Sequence, residues 1–396
     1  MRARYLKTGI AASIVLLASS QLSSAVDADD FAKKFAAAYS SQGAEIKYDG
    51  VSEQGDSIVL SNVSVGIPGE DETIKLGDMT FNGVADDGSG GYLVDSFVED
   101  SIEFSSDDVS LTLKDLAVNN LRVPAEAKME SLDDMLYYDS ATTGPLAVTV
   151  EGRDVFKIAK SSVTLSKNSD DTRMDFKGRA DGLEIDLSEV PDAEAQQAID
   201  GMGYQYVGGD IVVDGYWSLP TGELTLSEYS LTLNDVGRLD MQFSISGYTM
   251  DFVRGLQELQ EQMAAQADDE KAQQAMGFAL LGMMQQLTFN SLSLRFDDAS
   301  VTNKVLDMVA SQQGMSRDQM VQGLQGMLPF ALAQLQNPDF QKQVTEAVSL
   351  YLADPKSIEV SAQPNAPLPF ASLVGSAMGA PQTLPDVLNV SVTANQ

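Results

Sequence analysis

The 396-residue chain has no cysteine, no histidine and a single tryptophan. Those absences remove whole classes of chemistry. Zinc fingers, iron–sulfur clusters and most haem sites draw on Cys or His, and so do thiol nucleophiles and the Ser-His-Asp triad. Disulfides are impossible, so stability has to come from burial alone. Positive charge is scarce as well: 25 Lys and Arg stand against 58 Asp and Glu, a net charge of -33. Nucleic acid is bound chiefly by cations that neutralise phosphates, so no nucleic-acid partner is expected. Anionic membranes should repel the chain for the same reason. No phosphate-binding loop, dinucleotide fingerprint or Gly-x-Ser-x-Gly elbow occurs. With 43% hydrophobic residues, and acidic residues spread along its length, the chain reads as an ordered globular protein.

Arg2, Arg4 and Lys7 precede an apolar stretch over residues 9–18, and small residues then lead to Ser23-Ser24-Ala25. This is the layout of a secretory signal peptide over residues 1–25, with cleavage expected after about Ala25. The apolar stretch falls short of the roughly 20 residues that span a bilayer, so no transmembrane segment is expected in the mature protein. Losing three cations with the leader takes the net charge from -33 to -36. A cysteine-free exported protein of this size points to the bacterial periplasm.

In the mature chain a short amphipathic helix is expected over residues 28–41, with Phe31, Phe35, Ala38 and Tyr39 on one face. From there to residue 250 the period becomes two, as in Val109, Leu111, Leu113 and in Ile211, Val213, Gly215, Trp217. Such alternation marks antiparallel strands with one wet face. A local echo accompanies it: Ser-Leu-Thr-Leu-Lys-Asp-Leu at 110–116 nearly recurs as Ser-Leu-Thr-Leu-Asn-Asp-Val at 230–236. Looser copies begin at Ser57, Ser162 and Ser291. The spacing suggests a repeated supersecondary unit, although Ser/Thr-Leu alternation is also ordinary in β-proteins.

Residues 251–286 are rich in good helix formers and read as one long helix or a helical hairpin. A strand with Phe289, Leu292, Leu294 and Phe296 follows, then helices over 301–313, from Ser316 with a capping box to Gln319, and from Asn337 with Pro338 at its first position. Pro329 should kink the second of these. A proline-rich tail containing a short apolar segment closes on a strand over 387–394. The expected architecture is therefore α+β: a leader (1–25), a β-rich region with a short N-terminal helix (26–250), and a helical region with closing strands and the tail (251–396). The sheet is expected to be mainly antiparallel, curved and repeat-built, with the C-terminal helices packed against it.

Carboxylates are the abundant candidates for acid–base work, but they cluster in turns such as Asp107-Asp108 and Asp170-Asp171. A carboxylate-dependent hydrolase is a minor alternative, and no catalytic residue is assigned. Asp86-Asp87-Gly88-Ser89-Gly90 lacks the ligand spacing of a calcium loop and reads as a turn, so neither metal nor cofactor is expected. Ten of the 17 methionines fall between Met241 and Met327. Such a stripe is ordinary core packing, or else a soft surface for apolar ligands. On the second reading Trp217, Phe243, Met283, Met284 and Met327 would line the site.

The strand echo, with its Ser-Leu-Thr-Leu-x-Asp units over about 57–250, resembles the AsmA-like group of bacterial envelope proteins and related periplasmic proteins of unknown function. That resemblance implies a long curved sheet whose apolar inner face is associated with phospholipid handling or outer-membrane assembly. The chain departs from the group in being short, in lacking a retained anchor and in its helical, proline-rich C-terminal third. The expected function is that of a non-enzymatic periplasmic protein binding a lipid-like ligand or an envelope partner. The alternative is a structural or assembly factor that contacts another envelope protein.

Overall fold

The computed structural model describes residues 26–41, 43–66, 73–128, 130–265 and 270–396, and the expected leader lies outside them. Helix α1 (Ala28–Ser40) is followed by β1 (Glu45–Lys47), β2 (Gly50–Gln54), β3 (Ser57–Gly66), β4 (Thr73–Asn82) and β5 (Ala85–Asp86). Two long strands, β6 (Tyr92–Ser106) and β7 (Val109–Val123), lead to β8 (Ser140–Thr143), β9 (Leu146–Val150), β10 (Arg153–Ile158), β11 (Lys160–Lys167) and β12 (Arg173–Asp186). After α2 (Ala193–Met202) come β13 (Tyr206–Ser218), β14 (Glu223–Leu233) and β15 (Gly237–Ser246). The helices α3 (Met250–Ala265) and α4 (Glu270–Met284) precede β16 (Thr288–Asp298). Then come α5 (Val301–Gln312), α6 (Arg317–Leu332), α7 (Pro338–Ala353), β17 (Ser357–Ala362), β18 (Leu368–Pro369), α8 (Phe370–Gly379), α9 (Leu384–Val387) and β19 (Val390–Ala394).

All 19 strands among the described residues belong to one sheet, and its pairings follow the chain as an antiparallel meander. From β1 and β2 the order runs through β3, β4 and β6 to β7. Strand β7 pairs along its length with β8 and β9, which meet β11 and β10 in turn, and both of those pair with β12. From β12 the sheet continues through β13, β14, β15, β16 and β17 to β19. It passes without interruption through the boundary at residue 250, because β16 pairs with β15.

Register keeps one face apolar from end to end. Phe81 faces Phe97, Phe104 faces Leu111, Leu111 faces Val148 and Val148 faces Phe156. Farther along, Ile211 faces Leu231, Leu231 faces Leu239, Leu239 faces Phe296 and Phe296 faces Ile358. Alternate residues, among them Lys177, Asp214, Arg238 and Arg295, carry charge on the other face. Two positions of close approach need glycine: a Cβ on Gly215 would lie 2.5 Å from Phe176, and one on Gly237 2.5 Å from Phe296. Glycine there lets the aromatic ring of the adjacent strand lie flat across the backbone.

Helices close the two ends of the apolar face. Asp27 caps α1 by accepting a hydrogen bond from the Asp30 N–H at 3.0 Å. The ring of Phe31 packs edge-on against Phe81 at 5.1 Å, and that of Phe35 at 4.9 Å, within a core that includes Ile58, Leu60 and Val94. At the far end, Ala347 and Tyr351 of α7 pack on Val392, Ala394, Phe296 and Ile358. The C-terminal helices thus meet the sheet through α7, while α5 and α6 form a satellite core of Leu306, Ala310 and Met320.

Several expectations need correcting in detail. Of the two forms expected for residues 251–286 the structure has the second, two helices, α3 and α4, on either side of the undescribed residues 266–269, so only the single long helix is set aside. The apolar segment of the tail is the helix α8, and the closing strand begins only at Val390, because Leu384–Val387 takes a helical turn with Pro385 in its first positions. Helix α2 interrupts the region read as strands alone; Asp192 caps it and left-handed Gly203 ends it. The capping box at Ser316 and the Asn337 cap form where expected, and α6 continues through Pro329 to Leu332.

Phe31 is 0% exposed and Phe330 is 83% exposed. Phe31→Ala should therefore lower unfolding stability by about 3–5 kcal/mol, whereas Phe330→Ala should change it by less than about 0.5 kcal/mol, as measured by urea titration.

Candidate binding face

Between its closed ends the apolar face is only partly covered among the described residues: Met250 and Val253 of α3 pack with Leu132 on Trp217, Leu224 and Met174 at the strand ends. Helices pack on β1, β2 and β7 at one end, through α1, and on β17, β18 and β19 at the other, through α7, α8 and α9. The intervening side chains Leu111, Val148, Phe156, Phe176, Ile211, Leu226, Leu231, Leu239 and Phe243 are half-buried, screened mainly by their neighbours within the sheet. Toward β17 exposure rises, to 38% at Leu292 and 42% at both Leu294 and Val360. A continuous apolar strip of this kind on a water-facing sheet is unusual for a monomer's surface.

Few polar groups interrupt it. On adjacent strands Thr143 and Ser161 share a hydrogen bond at 2.7 Å, so each hydroxyl has its partner within the face. Glu99 lies two residues beyond buried Phe97 and opposite Leu116, which places its carboxyl on the apolar side. Burial raises its pKa from 4.5 to about 7, and the negative charges of Asp100 and Asp78 add to the shift. The carboxyl is thus partly protonated near neutral pH.

Of the five candidate lining residues, Phe243 lies on the open face, between Leu226 and Leu292. Trp217 is 6% exposed and sealed at the strand ends with Leu132 and Met250, its indole N–H donating to the Tyr248 carbonyl at 2.8 Å. Met283 and Met284 are half-buried in α4, and Met283 lies against Gly255 of α3. Met327 points to solvent from α6. The structure does not bring these five together. The residues that line the face are the leucines of the echo itself: Leu111 with Leu113, and Leu231 with Leu233. Their alternation was the available signal, because period two places every copy on one side of the sheet.

On the opposite face one cleft has its charges paired. Of about 380 Å³, it is bordered by Glu228, Arg238, Asp240, Arg295 and Glu359. Within it Arg238 meets Glu228 at 3.2 Å and Asp240 at 2.8 Å, and Arg295 meets Glu359 at 3.6 Å. Among the described residues no group of three or more carboxylates is placed to hold a metal ion, and no helix is long and apolar enough to cross a membrane.

A family model described as "Uncharacterized protein" matches residues 230–395, from within β14 to β19. No curated protein matches the chain.

The raised pKa of Glu99 fixes the sign of a pH effect. Between about pH 4.5 and 7 the folded protein holds a proton that the unfolded chain has released, so this residue's contribution to stability falls as pH rises through that window. Glu99→Gln should remove this loss. Thermal melts should show the variant gaining on the wild type from pH 4 to pH 8; parallel pH profiles would refute the assignment.

Proposed function

We propose that the protein is a non-enzymatic component of the bacterial envelope that holds the acyl part of a lipid-like ligand along the open apolar face. The carrying observation is the apolar strip that runs from β7 to β15 through Leu111, Val148, Phe156, Ile211, Leu231 and Leu239, half-buried side chains that belong to none of the core clusters built around α1, α3 and α7. An acyl chain suits this surface because the sheet's backbone groups are already paired within their ladders and the ligand brings no polar group that would go unpaired. Each methylene buried contributes about 0.8 kcal/mol, so roughly ten give about 8 kcal/mol before the entropy of binding is subtracted.

Curvature would make the strip a trough. Register shifts occur between β12 and β13, β13 and β14, β14 and β15, and β15 and β16, and bulges of this sort bend strands. A repeat-built origin fits the echo, whose copies all lie in strands with their apolar residues on this face. The two best copies nevertheless lie in β7 and β14, which run in opposite directions across the meander. The resemblance to AsmA-like proteins points the same way, and an exported, periplasmic location follows from the expected leader.

A second reading, an assembly factor that meets an envelope protein by strand pairing, is favoured by β19. Among the described residues it pairs with β17 on one side alone. Crosslinking in cells separates the two, because this reading requires a stable protein neighbour.

Native mass spectrometry of protein purified from its own envelope should show bound lipid mass. A fluorescent fatty acid should bind, and Leu231→Glu with Phe243→Glu should weaken it at least tenfold, about 1.4 kcal/mol, with the circular dichroism spectrum unchanged. Bare polypeptide, together with no shift of Trp217 emission on adding lipid, would refute the reading.

A further inference from the structure

Charge is withheld from three segments of this acidic chain. No Asp, Glu, Lys or Arg occurs over residues 272–294, 319–338 or 360–385. These stretches contain most of α4, most of α6 and all of α8. They also hold many of the large apolar side chains that stand in water: Phe278 and Leu281 are 68% and 50% exposed, Met327 and Phe330 67% and 83%, and Val374 and Met378 40% and 84%.

Hydrogen bonds bring the three to one end of the sheet. The Phe370 N–H at the start of α8 donates to the Leu287 carbonyl just beyond α4, at 3.0 Å. Asn337, which follows α6, donates through its side-chain amide to the Gln382 carbonyl at 3.3 Å and to Asp386 at 3.2 Å, both just beyond α8. The shared end is where β16 and β19 begin and β17 finishes, beside the most exposed part of the open face.

From this juxtaposition we infer that the charge-free rim formed by α4, α6 and α8 docks on the surface of a lipid bilayer. A protein of net charge -33 is repelled by anionic headgroups over about a Debye length, so any approach to a membrane has to be made by a surface free of carboxylates. These segments supply one. Phe, Met and Leu are suited to enter the acyl boundary, and no cation is present to select an anionic headgroup. A protein partner fits less well. Interface centres favour Tyr, Trp and Arg inside a polar rim, and none of those three residues occurs in the uncharged stretches. The inference does not depend on the ligand proposed for the open face.

Flotation with phosphatidylcholine vesicles tests it. The full-length protein should rise with neutral vesicles regardless of salt. Adding phosphatidylglycerol should weaken the association at low salt, and added salt should restore it. Combining Met327→Asp, Phe330→Asp and Met378→Asp, all at exposed positions, should lower the bound fraction at least tenfold without changing the thermal melt. Leu231→Glu on the open face should float like the wild type, which separates this docking from ligand binding. A wild type that stays unbound, a triple variant that floats equally well, or crosslinks from these positions to a stoichiometric protein partner in the absence of vesicle binding would overturn the inference.

Discussion

The alternation of strand side chains governs this structure. A meander of 19 antiparallel strands places every second residue on one face, so an apolar choice repeated at period two produces an apolar surface as wide as the sheet. Covering such a surface takes helices laid across it. The chain provides them at the two ends, where α1 and α7 bury Phe31, Phe35, Ala347 and Tyr351, and at one set of strand ends, where Met250 of α3 packs on Trp217, while α5 and α6 form a satellite core. Partial cover in the middle follows from the number and placement of helices, since the strands there are as apolar as those at the ends.

The opposite face shows how so wide a sheet keeps its register. Lys177 faces Asp214, Asp240 faces Arg295, and Arg295 faces Glu359 on consecutive strands. The first of these pairs closes at 3.0 Å, and Arg173 lies over the Tyr216 ring at 3.9 Å. Exposed pairs like these contribute about 0–1 kcal/mol each, too little to hold the sheet together. Their effect is on specificity: a one-residue slip would carry each charge to the apolar side, and like charges would meet across strands. The few cations of an acidic chain are thus placed where register is least protected by packing.

Much of this was legible in the residues. Alternation located the strands, and the caps at Ser316 and Asn337 fixed two helix starts, because both signals are local and set by backbone geometry. Helix α2 was hidden because ten residues between strong strands offer too little periodicity. The methionines do not by themselves locate a lining. Thioether content reports how soft a surface is and says nothing of which way a helix turns it, and Met283 and Met327 differ in just that respect. What covers a sheet is a long-range fact, decided by where α3, α4 and α6 come to rest.

The uneven burial has a mechanical consequence. The end around Phe31, Phe81 and Leu60 is a dry core in which opening exposes rings from several elements at once. Away from the α3 contact on Trp217, Leu224 and Met174, the middle strands hold no such buried cluster among the described residues, so separating a pair there costs mainly ladder hydrogen bonds and half-buried leucines. Local opening should therefore concentrate between β8 and β15, with the sheet held at both ends. A face sealed by helices would instead have to lose its core first. The leucines of the strip stay half-buried, while α6 leaves Phe330 in water.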